Sequence, residues 1–222
     1  MTSTHVRQHD SLLAAAERRA LIWIATRLPR WINADHLSAL GLVAMAGAGL
    51  AFWIAETDPA GGAALVVLCL ALNWFGDSLD GTVARVRNQQ QPRYGYYVAH
   101  VIDLAGTAMV FAGLAASGYM SPLIASLVVA AFFLVSAETY LAKHARGVFK
   151  MAFVGVGPTE LRILMAAGAL ALIDSPVVAV FGLGPVRLWD LGGVIGASGM
   201  VVTFVISSAN NVRALYLEET RR

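Results

Sequence analysis

The sequence predicts an all-α integral membrane protein, a six-helix bundle preceded by an amphipathic helix lying along the membrane surface. Hydrophobic residues fill 58% of the 222 positions and charged residues only 14%, far from the balance of a water-soluble globule. Six apolar stretches are spaced along the chain with short gaps between them and no visible internal repeat or low-complexity linker. Threading those stretches through a bilayer puts 15 of the 16 Lys and Arg residues on one side.

The first ten residues are polar and lead into no short apolar segment with a cleavage site, so the N-terminus is expected to be retained. From residue 11 to 32, Leu13, Leu21, Ile24, Leu28 and Trp31 recur at helical spacing among Arg18, Arg19, Arg27 and Arg30. That pattern suits a helix in the headgroup layer, the alternative being a helix packed on the bundle. The expected spans follow: Leu37 to Ala55, Gly61 to Gly76, Gly95 to Ser117, Ser121 to Ala137, Glu160 to Ile173 and Leu191 to Ala209. The fifth is the weakest, because its strictly apolar part is short and it must use its polar first turn to cross. Residues 1–36 form the tail and surface helix, 37–215 the membrane domain and 216–222 a second tail.

With a cytoplasmic N-terminus, the inner segments hold Arg7, Arg18, Arg19, Arg27 and Arg30, then Arg85, Arg87 and Arg93, then Lys143, Arg146, Lys150 and Arg162, then Arg213, Arg221 and Arg222. Only Arg187 falls outside. The positive-inside rule therefore orients both termini inward and also supports the weak fifth span. A single cysteine, Cys69, excludes a disulfide framework or a multi-thiolate zinc site, and a net charge of +2 gives no reason to expect nucleic acid. The small-residue runs Ala46 to Gly49 and Gly192, Gly193 and Gly196 allow close helix approach, within the bundle or across a dimer.

Charged groups at membrane depth cost about 2.5–3.5 kcal/mol each, so a chain that keeps several is expected to use them. Asp77, Asp80, Asp103, Glu138 and Glu160 all fall toward the inner ends of spans. Continued as a helix through residues 73–85, the second span puts Asp77, Asp80, Gly81 and Ala84 on one face, with Asn73 a turn earlier and Arg85 at the edge. Two carboxylates at that spacing can grip a divalent cation, the small residues leave room for a bulky ligand, and the arginine can pair with phosphate. The third span offers Gly95, Ala99, His100, Asp103 and Gly106, with Asp103 expected to be deeply buried. Carboxylates brought together there repel one another unless they share protons or bind metal.

Asp77, Asp80, Gly81, Ala84 and Arg85, followed after nine residues by Gly95 and then by Asp103, resemble the signature of the CDP-alcohol phosphatidyltransferase family, DxxDGxxAR then GxxxDxxxD. The resemblance covers roughly residues 30–215. It implies a CDP-linked donor and Mg2+ or Mn2+ bound at the inner face, with an acceptor hydroxyl attacking the β-phosphorus and expelling CMP. By position it makes Asp77, Asp80 and Asp103 metal-binding, and Asp103 a ligand or the general base. Asn73, Gly81, Ala84, Arg85 and Gly95 then line the donor site, with Gly95 giving a close approach. A homodimer is also implied.

One position departs from the signature: Ala99 stands where the family has its third aspartate, and a methyl group ligates nothing. With Asp there the element would read DHxxD, similar to choline and ethanolamine phosphotransferases, which makes His100 a candidate base. Ala99 is open to three readings: a natural loss, a variant working with one metal or with a substitute ligand such as Glu138, or an engineered change. The chain is expected to bind a CDP-containing ligand more readily than it consumes it.

Lys143, Arg146, Glu160, Arg162 and Arg213 are candidate acceptor-binding residues, although positive-inside anchoring explains the cations equally well. The segment GPTELR, residues 157–162, resembles a motif of bacterial family members and favours a functional Glu160 and Arg162. The donor, CDP-diacylglycerol or a CDP-amino-alcohol, stays open, as does a small alcohol or lipid acceptor. The competing class is a cation or proton transporter, against which stand the one-sided acids and the missing inverted repeat.

Overall fold

A computed structural model describes residues 12–147, 158–174, 176–180, 182 and 184–220. Arg7, Lys150, Gly157, Arg221 and Arg222 lie outside the described residues. Seven helices make up nearly all of it: α1 (Leu12–Arg27), α2 (Ala34–Ile54), α3 (Pro59–Val86), α4 (Pro92–Ala116), α5 (Pro122–Arg146), α6 (Pro158–Ala171) and α7 (Leu188–Thr220). All of α2, α3, α4, α5 and α7 are long and apolar enough to cross a bilayer, so the protein is an all-α, multi-pass membrane protein.

Local chemistry explains where these helices begin and end. Asn33 caps α2 by accepting from the His36 backbone N–H at 2.9 Å, while His36 Nδ1 accepts from the Asn33 N–H, a capping box with histidine in the usual glutamate position. Asp58 and Ser121 cap α3 and α5, each followed by a proline that suits the first turn. Gly147 ends α5 in the left-handed conformation, at φ 68°.

The fifth expected span, Glu160 to Ile173, corresponds to α6, whose described part is 14 residues long, hence about 21 Å against a hydrocarbon core of about 30 Å. Before α7 the chain forms a small antiparallel hairpin, β1 (Val177–Val180) and β2 (Gly184–Arg187), pairing Val177 with Arg187 and Val180 with Gly184. Gly182 and Gly184 take positive φ and make its turn.

The helices pack most tightly at one end. Phe52, Val66, Val110, Leu114 and Met120 are fully sealed there, together with Met165, Ala169 and Trp189 from the last two helices. Phe52 meets Trp189 edge to face, with ring centroids 5.1 Å apart. A Cβ on Gly49 would stand 2.5 Å from the Met109 carbonyl oxygen, so α2 and α4 touch through backbone, as the Ala46 to Gly49 run predicts for packing inside the bundle. Gly193 faces Ile124 and Met120, whereas none of the described residues lies within 4 Å of a Cβ placed on Gly192 or Gly196.

The opposite end carries the acids. Here α1 lays Leu21, Ile24 and Ala25, with Leu28 just past its end, against Leu79 and Val83 of α3 and Leu37 of α2, and keeps Ile22 and Trp23 exposed. Arg87, just past α3, ties down the turn between α1 and α2 by donating to the carbonyls of Leu28 at 3.0 Å, Pro29 at 3.1 Å and Ile32. The surface helix thus has both a packed face and an open apolar face.

Candidate active site

Helix α3 continues past its apolar stretch without a break, so the three- and four-residue spacing of its polar residues becomes one stripe: Asn73, Asp77 and Asp80. Opposite them, Ala99 and Asp103 are four apart on α4 and present side by side, and α2 adds Ser38 and Gly41. These residues, with Ile102, line one narrow hollow of about 10 Å³, room for about one water.

Hydrogen bonds organise its wall. The Ser38 hydroxyl donates to Asp80 Oδ2 at 2.7 Å, and the Gly81 N–H donates to Asp80 Oδ1. Buried Asn73 donates through Nδ2 to the Gly41 carbonyl at 3.1 Å, which leaves its Oδ1 turned toward α6. Arg162 meets it there: Nε donates to Asn73 Oδ1 at 2.8 Å and Nη2 to Asp77 Oδ2 at 2.7 Å. The Asp77 side chain is 41% exposed, its partner Arg162 only 16%. Asp77 and Asp103 lie close enough to Asp80 for their charges to repel it.

Several expected site residues occupy other places. Asp103 is not deeply buried; its side chain is 45% exposed and opens into the hollow. His100 turns away from the hollow, stacking on Tyr140 at a centroid distance of 5.0 Å and meeting Tyr96 edge-on at 4.1 Å. Its Nδ1 is 3.7 Å from Asp103 Oδ2, beyond a hydrogen bond. At about 100° per residue, Ala99 and Asp103 share a face, while His100 falls to the side facing α5. Gly95 provides no close approach among the described residues, since a Cβ there meets none of them within 4 Å. The room at Gly81 is used by Arg85: a Cβ on Gly81 would lie 3.4 Å from Arg85 Nη1, and Arg85 Nη2 donates to Thr82 Oγ1 at 3.0 Å. Ala84 is partly buried one turn on.

Of the candidate acceptor-binding residues, only Arg162 reaches the wall of the hollow. Lys143 Nζ sits 3.0 Å above the Tyr96 ring, and Arg146 donates to Asn211 Oδ1 on α7. Asn211 in turn donates to Glu138, which is 8% exposed. Glu138 therefore belongs to the α5–α7 packing and is not among the residues that line the hollow. Glu160 and Arg213 are exposed on α6 and α7. Ser38 and Gly41 were absent from the expected site, and the only local sign of them is a hydroxyl one turn inside a span at the acidic end.

The donor chemistry fits a hard divalent cation, because three carboxylates line one hollow. As placed, no three His, Cys, Asp or Glu side chains among the described residues converge on a single ion. Ala99 supplies only a methyl group to the same wall. No curated protein matches the chain. The family model described as CDP-alcohol phosphatidyltransferase matches residues 31–205, which include every residue lining the hollow, so the chain belongs to this family of membrane transferases, whose members serve phospholipid synthesis by transferring phosphate from a CDP-alcohol.

Proposed function

We propose that the protein transfers a substituted phosphate from a CDP-linked donor to an alcohol hydroxyl, releasing CMP, in the hollow between α2, α3 and α4. The observation that carries this reading is the meeting of Asp77 and Asp80 from α3 with Asp103 from α4 around one opening, in the order and spacing of the family signature. Asp80, Asp103 and Asp77 would hold Mg2+ or Mn2+, which when bound supplies positive charge to the phosphates. Arg85 at the edge of the stripe suits the donor phosphates, and Asn73, Gly81, Ala84 and Gly95 border the donor.

The acceptor oxygen attacks the β-phosphorus, a new P–O bond forms, and the bond to the CMP oxygen breaks. Asp103, half exposed in the hollow, takes the acceptor proton in this reading. His100, its ring held between Tyr96 and Tyr140 and its Nδ1 3.7 Å from Asp103, is the alternative base in this reading. Arg162 at the wall of the hollow, with Lys143, Arg146 and Arg213, favours an anionic acceptor, and Glu160 would accept a hydrogen bond from its hydroxyl groups. CDP-diacylglycerol and a CDP-amino-alcohol remain alternative donors.

The charge asymmetry supports an inner (cytoplasmic) membrane location with the hollow and both termini in the cytoplasm. The homodimer rests on the family resemblance. Mass spectrometry of lipid products from purified protein, given both donor types and a panel of alcohols, tests the reading. CMP release is expected to be slow in the chain as written and at least tenfold faster in Ala99→Asp, a barrier lower by about 1.4 kcal/mol or more. Robust CMP release by the chain as written overturns the expectation that Ala99 slows turnover, and no product with either donor from either protein overturns the function itself.

A further inference from the structure

We propose that the protein carries a second binding site at the end of the bundle away from the acids, a cavity that takes a phosphoryl–ammonium zwitterion, with Arg187 receiving the phosphate and Glu56 the ammonium.

The cavity holds about 250 Å³ and is lined by Glu56 just past α2, Ser117 and Tyr119 just past α4, and Val177 and Arg187 of the hairpin. Val177 and Arg187 stand directly opposite each other across the β1–β2 pair, so both side chains reach one wall. Along α2, Ser38 at the hollow and Ala55 beside the cavity are about 26 Å apart at about 1.5 Å per residue. The two openings therefore stand at opposite ends of the membrane domain.

Glu56 and Arg187 are opposite in sign and line the same cavity, yet they form no ion pair with each other. Among the described residues the Glu56 carboxylate has no hydrogen-bond or ion-pair partner. The Arg187 side chain is 50% exposed and reaches only Asp190, at 3.9 Å, while Asp190 Oδ1 accepts from the Ser121 N–H at 2.6 Å. Arg187 thus keeps most of its donors for an anion. An anion alone would meet Glu56 across the cavity and a cation alone would meet Arg187, whereas a molecule bearing both charges answers each. Tyr119 completes the negative pole. Its hydroxyl donates to the Ala55 carbonyl at 2.7 Å, which leaves the phenolic oxygen as an acceptor. Burial, with the charge of Glu56 added to it, pushes that hydroxyl above its ordinary pKa, which puts the carboxylate beside it. A primary ammonium, with three donors, can engage both oxygens.

Position selects the anion. Trp53 and Ile54, at the same end of α2, are exposed, as expected where a helix meets the headgroup layer. Phosphate is the anion of that layer, and Arg187 is the single Lys or Arg that the charge asymmetry leaves at this end. The cavity is just smaller than the roughly 300–1,000 Å³ of sites that hold drug-sized ligands, which suits a headgroup.

The test is native mass spectrometry of the full chain, stripped of lipid in detergent and titrated with short-chain phosphatidylethanolamine, phosphatidylglycerol or free phosphoethanolamine. A melting curve establishes that each variant is folded. One phosphatidylethanolamine per protomer is expected, bound about tenfold or more tighter than phosphatidylglycerol, which has the phosphate without the ammonium. Arg187→Gln and Glu56→Gln each weaken it about tenfold. Val177→Trp, which fills the cavity and spares both charges, weakens it by about as much. Free phosphoethanolamine bound as tightly as the lipid identifies a soluble ligand, and weaker binding of the free compound identifies a membrane lipid; either supports the site. Phosphatidylglycerol bound as tightly as phosphatidylethanolamine overturns the proposal. So does binding unchanged within about twofold in any of the three folded variants, or a folded, unaltered chain that binds neither zwitterion.

Discussion

At one end of the bundle Phe52, Leu114 and Met120 are sealed among helices that touch through backbone at Gly49, while at the other Asp77 and Asp103 stand half exposed over a hollow lined by a bare methyl group, Ala99. The first end is held by dispersion and close fit, the terms that drive helix association when lipid is as apolar as leucine. The second keeps like charges together and tempers them with individual hydrogen bonds from Ser38, Gly81 and Arg162. A structure divided in this way can give up stability locally at the acidic end, because the rigidity comes from the other one.

Substitutions at the two ends should therefore separate turnover from stability. The largest effect is expected from Asp80→Asn, which lowers CMP release about 10²–10³-fold, measured in an Ala99→Asp background where turnover is highest. Its melting temperature should hold or rise, since neutralising Asp80 relieves repulsion from Asp77 and Asp103. A lower melting temperature would mean that the acids support the fold and would erase the distinction between the ends.

Next comes Phe52→Ala. The side chain is fully buried, and removing about 100 Å³ of packed volume costs roughly 2 kcal/mol through the cavity term. Thermal unfolding should shift down by about 5 °C. CMP release per folded molecule should stay within about twofold, and a larger loss would show that the apolar end communicates with the hollow. The smallest effect belongs to Ser38→Ala, which leaves Asp80 with one hydrogen bond fewer and is worth about 1 kcal/mol, seen as a roughly fivefold slower CMP release at nearly unchanged melting temperature. No change in release would remove Ser38 from the site.

Much of this was legible before any tertiary structure. Asp77 and Asp80 face the same way because a helix returns to one side every three or four residues, and Ala99 and Asp103 share a face for the same reason. The membrane class followed from composition and the run lengths of apolar residues. Local periodicity was a poorer guide to the neighbours of each side chain. His100 belongs with Tyr96 and Tyr140, and Glu138 with Asn211, because α5 packs beside α4 and α7. Arg162 and Glu138 have the same look in the sequence, a charge near the end of a span, yet one closes on the hollow and the other is built into a helix contact. The hairpin before α7 has four-residue strands, too short for an alternating pattern to stand out.

The amino-acid sequence by itself determined that this chain spans a membrane as helices, that its acids gather toward one end, and that their spacing resembles the signature of one transferase family. These properties depend on hydropathy, charge and spacing along a single helix, all of which are local. Only the tertiary structure decided which carboxylate receives the arginine, which receives the serine and which is left open, because those partners arrive from helices tens of residues away and are selected by how the helices pack.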